Sequence, residues 1–129
     1  MIVVDSSVWI ALLRGEVSPG VERLRGLSDT SEILVGDLML FEVLRGARDE
    51  VHAAAIEERM KLFAVVPMLT PQLAMLGARH YRELRRRRIT VRKAADVVIA
   101  TFCIAHGHRL LHQDRDFDPF VAHCGLLLA

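Results

Sequence analysis

Four short apolar runs, 2–4 (IVV), 33–35 (ILV), 64–66 (AVV) and 109–112 (RLLH), are separated by helix-length stretches, with almost no hairpin signal between them. Antiparallel strands can be joined by a two-residue turn, whereas parallel strands need a longer crossover, usually a helix. Strands that are apolar along their length, rather than alternating, suit a sheet covered on both faces. The pattern therefore constrains the chain to an α/β arrangement of three layers, α/β/α. Its central parallel sheet would have four to five strands, 126–128 adding a short fifth. A length of 129 residues is that of one domain, spanning 1–129.

Helical signals fill the gaps. Ser6 or Ser7 can cap a helix to about Leu13, closed by Gly15, and Asp37 can cap another through Arg45, closed by Gly46. Residues 50–62 read as helix on composition. Thr70-Pro71 is a cap followed by proline, after which Leu73, Leu76, His80, Tyr81 and Leu84 mark one face of a helix of about four turns. Thr90 opens a last helix, apolar almost all round, that runs to Gly107. Cys103 and Cys124 make no disulfide framework and read as reduced thiols. The opening MIVVDSSVW has no basic leader, and no run reaches the roughly 18 apolar residues that span a bilayer. A cytoplasmic protein without membrane contact is expected.

Net charge is only +1, but it is unevenly spread. The stretch RHYRELRRRRITVRK, 79–93, holds seven arginines and a lysine against Glu83 alone. A solvated helix end and a surface that attracts phosphates account for it equally well on charge alone.

Four acids stand in apolar company. Asp5 follows IVV directly, Glu42 is the only charge in LMLFEVL, Asp96 the only one in AADVVIATFCIA, and Asp114 comes just after RLLH. Burying an ionised carboxylate is costly unless it is paired, hydrogen-bonded or bound to a metal. In a parallel α/β sheet, ligands bind beyond the carboxyl ends of the strands. Asp5 and Asp114 both lie at that edge, and Glu42 and Asp96 sit near the starts of helices. Gathered there, the four would repel one another unless a cation held them. Oxygen donors without a matching His or Cys set favour Mg²⁺ or Mn²⁺, and such ions assist hydrolysis of phosphodiesters.

With these residues assembled, the chain resembles a PIN-domain protein, specifically the VapC-type toxins of type II toxin–antitoxin systems. MIVVDSSVWIALLRG, LMLFEVLRGAR, ITVRKAADVVIATFCIAHG and LLHQDRDF resemble the family's four motifs in order. The resemblance implies a PIN-like fold and a Mg²⁺- or Mn²⁺-dependent endoribonuclease whose catalytic and metal-holding acids are Asp5, Glu42, Asp96 and Asp114. Asp116 is an accessory acid, and Ser7 orients Asp5 or a water. It further implies a VapB-like antitoxin as partner, a homodimer, and a heterotetramer or larger assembly with the antitoxin. Arg85, Arg86, Arg87, Arg88, Arg92 and Lys93 become candidates for an RNA track. The chain departs from the family pattern at two places. His112-Gln113-Asp114 stands where T-R-D or T-N-D is common, making His112 a candidate substitute for the hydroxyl, and Arg88 stands at a usual helix-ending glycine. Three other readings compete: a PIN-like module that binds RNA or a partner without turnover; a zinc site built from Cys103, His106, His108, His112 and Cys124; and a nucleotide-binding enzyme. No ligand spacing supports the second and no glycine-rich phosphate loop the third.

Overall fold

A computed structural model describes residues 1–129. The chain alternates strands and helices: β1 (Ile2–Val4), α1 (Ser6–Leu13), α2 (Pro19–Arg25), β2 (Ile33–Gly36), α3 (Asp37–Arg45), α4 (Glu50–Met60), β3 (Ala64–Val66), α5 (Pro71–Arg86), α6 (Ala94–His106), β4 (Arg109–Leu111), α7 (Asp118–His123) and β5 (Leu127–Leu128). The five strands form one parallel sheet in the order β3-β2-β1-β4-β5. The chain thus starts in the middle of the sheet and grows outward on both sides, which leaves a topological switch at β1.

Because successive strand residues point to opposite faces, the sheet separates two cores. Val3, Leu34 and Leu110 pack under α5 and α6, with Ile99, Phe102, Phe117 and Phe120. Val4, Ile33, Val35 and Leu111 pack on the other face with Val8, Trp9, Val43 and Ile56 from α1, α3 and α4. The three-layer architecture is as expected, with one difference. Only β1, β2 and β4 are well covered; the edge strands β3 and β5 are largely exposed. An edge strand has one neighbour, and both of these are short, which limits the open ladder they present.

The helices depart from expectation at α2, α3 and α6, as well as at the cap of α1. The segment PGVERLR, not foreseen, forms α2, with Ser18 Oγ accepting from Val21 N–H (3.2 Å) and Pro19 at the start. Asp37 is the first residue of α3 rather than its cap, and its Oδ1 accepts from Met68 N–H (3.2 Å), fastening the β3–α5 connection. The last long helix starts at Ala94, not Thr90. The intervening residues are not helical, because Arg88 turns the chain with φ +63° and Ile89 and Val91 then pack into the core. Ile89 N–H bonds back to Leu84 O and Arg88 N–H to Arg85 O, both 2.9 Å, a helix ending that normally uses glycine at the left-handed position.

Candidate metal centre

Asp5 stands immediately beyond β1, and its N–H donates to Leu111 O (2.9 Å), carrying the β1–β4 ladder one step further. It is also the N-cap of α1, its Oδ2 accepting from Ser7 N–H (3.1 Å) and Ser7 Oγ–H (2.5 Å). The carboxylate therefore caps, not Ser6 or Ser7, which form the first turn. Ser7 Oγ also accepts from Gln113 N–H (3.1 Å), so one hydroxyl ties the ends of β1 and β4 together. On the first turn of α1, Ser6 Oγ–H reaches Glu42 Oε1 (3.3 Å), orienting the α3 acid towards Asp5.

Asp96 lies in the first turn of α6 and is only 4% exposed. Its Oδ2 is buried with no hydrogen-bond partner. Asp114, beyond β4, caps the short helical turn Arg115–Phe117, its Oδ1 accepting from Asp116 N–H (2.9 Å). Its Oδ2 accepts from Lys93 Nζ (3.3 Å). Its own N–H donates to His112 Nδ1 (3.1 Å). The imidazole thus accepts from the backbone at this turn, which a hydroxyl two residues earlier could also do. With Nδ1 accepting, the proton sits on Nε2, which is buried without a partner while the ring lies against Phe117, centroids 5.0 Å apart. Phe117 is fully buried and anchors the turn; its truncation to Ala would cost about 3–5 kcal/mol.

One carboxylate oxygen from each of Asp96, Asp114 and Asp116 lies within 4.8 Å of the other two. Asp116, expected as an accessory, sits directly with the two principal acids. Asp5 lies close enough for its charge to act on Asp96, and Glu42 joins the group through Asp5, whose charge acts on it. Burial, then the charges of Asp5 and Asp114, push the Asp96 carboxyl up to about 7. Burial also raises Asp5 against the pull of Ser7, and burial and the Asp5 charge raise Glu42. Asp114 goes the other way. Burial opposes its ionisation, but the Asp116 N–H and Lys93 outweigh it and hold the carboxyl below its usual range. Carboxylates gathered with an orphaned buried oxygen, all oxygen donors, fit a hard divalent cation such as Mg²⁺ or Mn²⁺.

The expected residues outside this group are scattered. Arg86 and Arg87 both pair with Glu83, the latter at 3.3 Å, and Arg88 holds the helix-ending turn. Arg85 lies over the Tyr81 ring and lines, with Arg82 and Arg92, an apolar cavity of about 710 Å³ between α5 and α6. Only Lys93 of the basic stretch pairs with a site acid. The zinc alternative finds no support, because His108 and His112 stand at opposite ends of β4 and Cys103 is buried in the core. Two contributors went unseen in the sequence, Ser6 and Gln113. Gln113 Oε1 accepts from Ser18 Oγ–H and Gly20 N–H (3.0 Å), pinning α2 to the Asp114 loop. A side chain at Gly20 would close that approach, its Cβ falling 2.5 Å from Gln113 Oε1.

The profile of the PIN domain family matches residues 2–120. A protein named VapC ribonuclease Mb1587, from Mycobacterium bovis, is 32% identical over 123 residues, covering 92% of this chain and 90% of its own. Ribonuclease VapC11 of Mycobacterium tuberculosis matches to the same extent. Among solved structures, VapBC2 from Rickettsia felis bound to a promoter DNA fragment superposes with a TM-score of 0.80 at 15% identity, covering 100% of this chain and 98% of that one. FitAcB from Neisseria gonorrhoeae gives 0.76 at 20% identity, with 100% and 97% covered. At these identities the structural likeness speaks to the fold.

Proposed function

The chain belongs to the PIN domain family, and from that premise we propose that it is a Mg²⁺- or Mn²⁺-dependent endoribonuclease, the toxin of a type II toxin–antitoxin pair. The observation that carries the reading is Asp96, a buried carboxylate left without a partner beside Asp114 and Asp116 at the sheet edge where Asp5 and Glu42 converge. A group so costly to bury is explained when a cation completes it. Relatives named as ribonucleases support RNA as the substrate. Neighbours described as VapBC complexes support an antitoxin partner. No helix is long and apolar enough to cross a membrane.

In this reading Asp96, Asp114 and Asp116 hold the cation, with Asp5 and Glu42 completing the negative wall. When bound, a divalent ion supplies Lewis acidity, making water nucleophilic near neutral pH and offsetting charge that develops on the phosphate oxygens. The chain supplies the rest. Ser7 fixes Asp5 through Oδ2, Ser6 holds Glu42 through Oε1, and His112 holds the Asp114 turn. Water attacks phosphorus, the P–O bond to the departing ribose oxygen breaks, and that oxygen leaves protonated from solvent. No side chain forms a covalent bond. Arg92 and Lys93, next to the pocket, and Arg82 and Arg85 along the neighbouring cavity provide a path for the RNA backbone.

The test is cleavage of total RNA by the purified protein with Mg²⁺, with Mn²⁺ and with EDTA, beside Asp96→Asn. Products that need the metal and Asp96 establish the reading. Metal binding without cleavage under any condition would favour a module that binds without turnover.

A further inference from the structure

We propose that Lys93 is a catalytic residue of this site, a built-in counter-ion that holds Asp114 until a divalent ion displaces it and that then contacts the scissile phosphodiester. The proposal rests on the nuclease reading above and deepens it. Three observations carry it. First, Lys93 sits at the N-cap of α6, three residues before Asp96, in extended backbone that points its stem across the pocket; its ammonium donates to Asp114 Oδ2 at 3.3 Å. It caps nothing on its own helix, so the contact with Asp114 is not a by-product of capping. Second, the side chain is 59% exposed, so the ammonium lies on the open rim and can leave without disturbing the core. Third, Lys93 is the only cation of the chain that forms an ion pair with an acid of the pocket, the other ion pairs joining Lys61 to Glu58 and Arg86 and Arg87 to Glu83.

Charge balance gives the lysine a task in both states. One divalent ion offsets only part of the charge of five carboxylates, and an incoming phosphodiester adds another negative charge. An ammonium on a flexible stem, with rotatable donors, suits a phosphate oxygen at the edge of such a pocket. Asp114 Oδ2 serves either the lysine or the divalent ion fully, so the two cations compete for it. In the hydrolysis Lys93 forms no bond and transfers no proton; it offsets charge on a non-bridging oxygen as the P–O bond breaks.

Competition and catalysis predict opposite signs, which separates this role from a structural one. Lys93→Met and Lys93→Arg are compared with wild type by calorimetric titration with Mn²⁺ and by cleavage of total RNA at saturating Mn²⁺, with thermal unfolding in EDTA as the check on folding. Lys93→Met is expected to bind Mn²⁺ more tightly, on the order of tenfold, yet to cleave more slowly, on the order of a hundredfold. Lys93→Arg restores much of the cleavage. Wild-type Mn²⁺ affinity in a folded Lys93→Met protein would overturn the counter-ion role, and wild-type cleavage would overturn the phosphate contact. Loss of both, unrescued by arginine, would make Lys93 structural and overturn the whole proposal. These outcomes presuppose an active wild type; a wild type that binds Mn²⁺ and cleaves nothing brings down the nuclease reading itself, and the phosphate contact with it.

Discussion

The acidic pocket and the arginine-rich end of α5 are the two most charged regions of the molecule, and the chain treats them in opposite ways. At the pocket, Asp5 and Asp96 are buried, their carboxyls are pushed upward, and one oxygen has no partner at all. Along α5, every arginine is exposed, two share Glu83, and one lies over a tyrosine. Exposed charge costs little and is easily screened, so its presence says little about chemistry. Buried charge without a partner persists only where something else stabilises it. The contrast teaches that sixteen acids and seventeen bases in a sequence are not equal evidence, and that the informative ones are those a folding chain should have avoided.

The largest effect is expected at Asp96. Asp96→Asn is expected to reduce metal-dependent RNA cleavage by more than about a hundredfold while leaving a folded protein. Retained activity would remove the pocket from the mechanism. Next in size is the pH dependence of metal-free stability. The Asp96 carboxyl ionises near 3.8 when unfolded and at about 7 when folded. Between those values the unfolded chain has given up a proton that the folded one keeps, so this group makes stability fall as pH rises from about 4 to about 7, with no further loss above. Thermal unfolding in EDTA across that range should show the decline, and Asp96→Asn should flatten it. Ser7→Ala removes the hydroxyl that ties Asp5 to the β4 end; a loss of Mn²⁺ affinity of about tenfold is expected by calorimetry.

The arginine side should respond weakly. Arg86→Ala and Arg87→Ala are expected to change stability by no more than about 1 kcal/mol, read by urea unfolding, and to slow RNA cleavage less than Arg92→Ala does. A larger loss of cleavage at Arg86 or Arg87 would reverse the assignment of the track. Arg88→Gly should stabilise by about 1 kcal/mol or less, because a side chain is held at φ +63° where glycine is unstrained.

What the sequence revealed follows from the same distinction. Asp96 was legible because a lone acid in AADVVIATFCIA has no local partner to explain it, and the strand-end positions of Asp5 and Asp114 followed from the runs before them. The link from Ser6 to Glu42, the joining of Ser7 to Gln113 and the reach of Lys93 to Asp114 connect residues 36, 106 and 21 positions apart, which no local pattern encodes. Helix α2 is a different kind of miss. Ser18-Pro19 carries the same cap-and-proline signal as Thr70-Pro71, but seven residues offer too short a periodic face to register. Thr90 reads as the start of α6 because a buried Val91 ahead of the helix looks, in one dimension, like the first turn of an apolar helix.

If the pocket is a divalent-cation site built around an unpartnered carboxylate, Mn²⁺ should stabilise the folded protein, as thermal unfolding with and without Mn²⁺ at pH 6 and pH 8 will show. A ligand that binds only the folded state raises the melting temperature, and deprotonation of Asp96 favours binding. A clear rise is expected for the wild type, larger at pH 8 than at pH 6, and little or none for Asp96→Asn. An equal rise in both proteins, or none in either, would contradict it.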